Sequence, residues 1–127
     1  MYETEYDVIF ESEEHEKRFY ALLSKMKSKD GYHREMAYLL TLNGMYEHIH
    51  LLFDLEQDGI KREGLSDPFQ TSASGRITRL AFNLWNSCGG YGYPETPSVY
   101  FTPDHIFGYS PELDTLLFQA IKLWCIR

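Results

Sequence analysis

Histidines, carboxylates and arginines are the side chains here that could do chemistry, and their spacing decides which chemistry. Asp30 and His33 stand three apart at a helix start. At that offset a carboxylate can bond first-turn N–H groups with an imidazole beside it. A general acid–base pair would need a nucleophile or substrate pocket next to it, and none can be placed, so capping is the favoured role. His50 and Asp54 are four apart and could share a helix face, with Glu47 a turn before His50. His48 and His50 are two apart, which on a helix points them about 200° apart, the wrong geometry for one metal. Neither H-E-x-x-H nor C-x-x-C occurs, and a zinc site needs three or four converging ligands. No metal, no cofactor and no catalytic residue is therefore expected. Gln70, Arg76 and Arg79 complete a candidate polar pocket with Asp30, His33, His50 and Asp54, provided the fold brings them together. Gly75-Arg76 lacks the glycine spacing and the Lys-Ser/Thr ending of a phosphate loop. A helix N-terminus there could still attract an anion, with Arg76 as an extra donor.

These residues depend on helices for their placement. The chain looks organised around Gln70 to Asn86, where Ser72 or Ser74 can cap a helix and Ile77, Leu80, Ala81, Leu84 and Cys88 recur at helical spacing. Arg76, Arg79, Asn83 and Asn86 share its other side, as a solvated back or a recognition face. Ser12, followed by Glu13 and Glu14, opens a first helix over about 13–27, with Phe19, Leu22, Leu23 and Met26 inward. Asp30 caps a second, whose apolar set is Tyr32, Met36, Leu39 and Leu40 and which Asn43-Gly44 stops. A third helix is predicted from Met45 to Phe53. Periodicity lapses from Asp54 to Phe69, where Asp58-Gly59, Glu63-Gly64 and Asp67-Pro68 are turn signals. Thr102-Pro103 and Ser110-Pro111 each set a cap before a first-turn proline, opening a short helix and a last long one. The last carries Leu113, Leu116, Leu117, Ala120, Ile121 and Trp124 inward. The expectation is one all-α domain over 1–127, a bundle of about five helices with a long Gly/Pro/Tyr-rich loop before the last ones. Residues 1–11 read as an extended N-terminal arm or a short strand.

Composition narrows the partner. Asp and Glu number 19 against 12 Lys and Arg, for a net charge of −7. Phosphate backbones are bound largely through cationic side chains, so direct nucleic-acid binding is disfavoured and a protein partner with a basic surface is favoured. Ten tyrosines and eight phenylalanines supply large, rigid contact area. The aromatic loop residues Tyr91, Tyr93, Tyr100 and Phe101 and the acidic arm residues Glu3, Glu5 and Asp7 are the candidate contacts. Two cysteines make no disulfide framework, and neither a signal peptide nor a membrane span can be read, so a cytoplasmic protein is expected.

Several blocks together resemble a family of small uncharacterised proteins of Gram-positive bacteria, often carried on phages and integrative elements. They are Lys27 to His33, Leu52-Phe53-Asp54, Ile60 to Leu65, Gln70 to Asn86 and Ala120 to Trp124. The resemblance transfers no catalytic residue. It implies an accessory protein of a mobile element, a setting in which small acidic proteins often inhibit host defence, anti-CRISPR proteins among them. A non-enzymatic binding protein of that kind is the first expectation. A small enzyme or ligand-binding domain built on the polar pocket is the alternative, and a structural subunit of an element-encoded complex is the third.

Overall fold

A computed structural model describes residues 6–86 and 101–126, with Asn86 by its backbone alone. Among these residues it contains six α-helices: α1 (Glu13–Lys25), α2 (Gly31–Leu40), α3 (Ile49–Leu52), α4 (Ser72–Asn86), α5 (Pro103–Ile106) and α6 (Pro111–Cys125). The mostly helical fold expected from the sequence is what forms. Cys88 and the loop from 87 to 100 lie outside the described residues.

The caps follow local chemistry. Ser12 Oγ accepts the N–H of His15, Asp30 Oδ1 accepts that of His33, and Ser110 Oγ accepts that of Leu113. Each satisfies a first-turn donor that the helix leaves open. At α4 the cap is Thr71 rather than Ser72 or Ser74. Thr71 Oγ1 accepts the Ser74 N–H while Ser74 Oγ accepts the Thr71 N–H, a reciprocal box that fixes the helix one residue earlier.

The organising element is α2, not α4. It packs against α1, α4 and α6, and every residue from His33 to Leu40 is buried. The amphipathic stripe read for it gives way to burial all round, while Tyr32, expected inside, is exposed. Gly31 allows the start of α2 to touch the end of α6, because a Cβ there would collide with the Trp124 carbonyl. Arg34 then ties those ends together, donating to the carbonyls of Leu123, Ile126 and Lys29. Phe19, Tyr38 and Phe82 fill the centre, each fully buried. Rings of that size contribute on the order of 2–3 kcal/mol apiece on leaving water.

The expected third helix breaks into a 3-10 turn (Tyr46–His48) and the single turn of α3. The chain then enters a minimal antiparallel hairpin, β1 (Phe53–Asp54) against β2 (Gly59–Ile60), with Asp58 at φ +57° in the turn. A second 3-10 turn spans Arg62–Ser66. Residues 6–10 are laid against the domain: the Tyr38 hydroxyl donates to the Ile9 carbonyl, and the Ile9 N–H to Gln119 Oε1. Phe10 packs on His15, Phe19 and Tyr38. No helix among the described residues is long and apolar enough to cross a membrane.

Candidate functional site

The seven residues of the candidate polar pocket fall into separate networks. Asp30 and His33 do meet. His33 Nδ1 lies 2.7 Å from Asp30 Oδ1, and its Nε2 lies 2.8 Å from Asp58 Oδ1. The ring stands edge-on to Trp85 at 4.9 Å and is almost wholly buried. With a carboxylate oxygen against each ring nitrogen, His33 acts as a clamp between the start of α2 and the β1–β2 turn. Burial works to raise the Asp30 pKa, but hydrogen bonds from the His33 side chain and backbone, with the imidazole charge, outweigh it and leave the carboxyl below its ordinary value.

Gln70 belongs to the start of α4. Its Nε2 donates to the Gly64 carbonyl and to Thr78 Oγ1, and its Oε1 accepts from Ser74 Oγ. Arg76 and Arg79 reach from α4 to the chain around α5. Arg76 Nη1 donates to the Phe107 carbonyl at 2.7 Å, and Arg79 holds the His105 carbonyl through Nε at 3.0 Å and Nη2 at 2.8 Å. These guanidiniums satisfy carbonyls at and just beyond the end of a helix of one turn, where intrahelical donors run out. His50 and Asp54 line a surface groove, and Asp54 Oδ1 accepts the N–H groups of Glu56 and Gln57. Among the described residues no group of three or more His, Cys, Asp or Glu could hold a metal.

Of the candidate contacts, Tyr91, Tyr93, Tyr100, Glu3 and Glu5 lie outside the described residues, and Asp7 is exposed. Phe101 is 7% exposed and belongs to the core, because the chain must turn inward there to seat α5 against α4. It has no surface to offer a partner.

What the structure does leave open is the corner between α5 and α6. Phe118 is 53% exposed and stacks on Phe107 with ring centroids 5.0 Å apart. Tyr109 is also 53% exposed, and the Arg76 guanidinium carbon lies 6.0 Å from its ring centre. From Phe101 to Ile121 the chain carries Asp104, Glu112 and Asp114 and no Lys or Arg. Asp114 is spent on the Gly108 N–H, whereas the Asp104 side chain is 79% exposed. Sequence reading passed over this corner because its rings are spread over a turn and a helix. One signal was there: Phe118 falls off the apolar stripe of α6, so a large ring was due to face water.

The model of a family of unknown function, DUF6075, matches residues 5–125, nearly the whole sequence. No curated protein and no solved structure matches the chain.

Proposed function

This chain belongs to the family of unknown function DUF6075, and from that premise we propose that it is a non-enzymatic binding protein that docks the α5–α6 corner on a basic protein surface. The observation carrying this reading is the pairing of two half-exposed rings, Tyr109 and Phe118, with a cation-free acidic stretch. Aromatic anchors supply most of the energy in typical interfaces, and complementary charge mainly speeds encounter. Arg76 and Arg79, which reach this corner from α4, are turned to backbone carbonyls, and Lys122 follows one turn beyond Phe118 on α6. The enzyme alternative loses support because His33, Gln70, Arg76 and Arg79 each hold two parts of the fold together, and Asp30 caps α2 and braces His33. A basic host-defence protein, such as a nuclease, is the partner class that suits an accessory protein of a mobile element and a net charge of −7.

The test is an affinity capture from the host at low and high salt, with the native protein beside a Tyr109→Ala/Phe118→Ala variant. Both side chains are exposed, so the variant keeps its fold. The expected result is a basic protein held by the native form, released as salt rises and weakened at least about tenfold by the double substitution. A partner retained equally by both forms, or one that is itself acidic, would overturn the proposal.

A further inference from the structure

In a groove that shares no lining residue with the α5–α6 corner the charge balance reverses. A groove of about 520 Å³ runs between α1 and the segment from Tyr46 to Lys61. A second lobe of about 210 Å³ shares Leu22, Lys25, Tyr46 and Ile49 with it. Arg18 and Lys25 are the only charged residues lining the smaller lobe. In the larger lobe Lys25 and Lys61 face Asp54 and Glu56, and the backbone N–H groups bound to Asp54 Oδ1 offset part of that negative charge. Three cations against two carboxylates make this a locally positive surface on a chain of net −7.

Two of the cations are already positioned. The Arg18 guanidinium lies over the Tyr46 ring, 3.6 Å from its centroid, and Lys61 Nζ donates to the His50 carbonyl at 2.7 Å. Side chains held in place before binding lose less entropy when an anion arrives. Between them Leu22, Ile49 and Phe53 offer an apolar floor. We infer that this groove is a binding site for a partner's peptide segment that sets a carboxylate beside a large apolar side chain. The carboxylate would sit between Arg18 and Lys25, and the apolar group would lie over Ile49 and Phe53. This site is independent of the α5–α6 corner and selects the opposite charge, so either proposal can fail without the other.

The test is a chemical-shift titration of the isotope-labelled protein with three capped synthetic peptides. One carries Leu-Phe flanked by Glu pairs, one carries Leu-Phe flanked by Lys pairs, and one carries Ala-Ala flanked by Glu pairs. The first is expected to give saturable shifts centred on Leu22, Lys25, Tyr46 and Ile49. The other two should bind at least about tenfold more weakly, as should the first peptide to Lys25→Glu. Lys25 is exposed, so that variant folds, and Lys61→Met provides a second reading of the same charge effect. Equal binding of all three peptides, an unchanged affinity in Lys25→Glu, or shifts scattered away from the groove would overturn the inference. So would self-association through these residues without peptide, which would make the occupant a second copy of the chain.

Discussion

Two buried titratable side chains pull the stability of this protein in opposite directions with pH. Glu35 is 0% exposed, and neither carboxyl oxygen has a hydrogen-bond partner. Burial alone holds its pKa well above the ordinary 4.5. The folded chain keeps that proton while the unfolded chain releases it above about pH 4.5, so stability declines as pH rises from there. Glu35→Met should flatten this slope and raise stability at neutral pH by about 1–3 kcal/mol, since an unpaired buried polar group is removed. Denaturant unfolding at several pH values measures both, and a destabilised variant would show that Glu35 has a compensating partner. His15 works the other way. The Glu11 N–H donates to its Nδ1, and its Nε2 lies 2.9 Å from the Tyr38 carbonyl, which fixes a neutral ring protonated at Nε2. Burial, ahead of the smaller effects of the Tyr38 carbonyl, Glu11 and Arg18, leaves its pKa below the ordinary 6.5. The unfolded chain takes up a proton below about pH 6.5 that the folded chain resists, so stability falls as pH drops through that region. His15→Asn, which retains an acceptor for Glu11, should lose that acid limb. An unchanged melting profile between about pH 5 and 7 would assign the limb to another group.

At the scale of elements, α5 is the case where tertiary contacts replace intrinsic stability. One turn of helix is far too short to persist alone. Pro103 sets its first turn and Thr102 precedes it, but the Thr102 side chain bonds Asp104 instead of capping the backbone. The end of the turn is held by the forked guanidinium of Arg79 on the His105 carbonyl. Arg79→Met should therefore cost about 1.5–3 kcal/mol, the range for a hydrogen bond to a charged group. Hydrogen exchange should quicken locally in α5 before the rest of the chain. Arg79→Lys should recover only part of the loss, because an ammonium cannot reproduce the two-pronged contact. If both variants match the native protein, the clasp is ornamental and α5 is held by Ile106 in the core.

At the scale of the whole molecule, most of the architecture was legible and its centre was not. Caps at Ser12, Asp30 and Ser110 and the apolar spacing of α1, α4 and α6 are local signals, and local structure obeys them. The position of α2 is not a local property. Its polar residues His33, Arg34 and Glu35 are buried because partners arrive from positions as distant as Asp58 and Leu123, or, for Glu35, with none arriving. The hairpin escaped for a different reason: two residues per strand are too few to show a period. The polar pocket failed to assemble because its members are engaged in separate places: Asp30 and His33 with each other, Gln70 at the start of α4, and Arg76 and Arg79 on carbonyls around α5. Acidic composition pointed to a basic partner, but it averaged over local surfaces with different charge balances.

The Arg34 contacts also bear on how the chain is made. Arg34 binds carbonyls at Leu123 and Ile126, and Ile9 binds Gln119, pairs separated by 89, 92 and 110 positions. On a ribosome α2 emerges well before these partners do, so it waits with only the Lys29 carbonyl to answer its guanidinium and with its α6 face bare. Non-local pairing of this kind slows folding and leaves apolar surface open in the meantime. The helix at the middle of the structure is thus translated before α6 and secured only once α6 has been made.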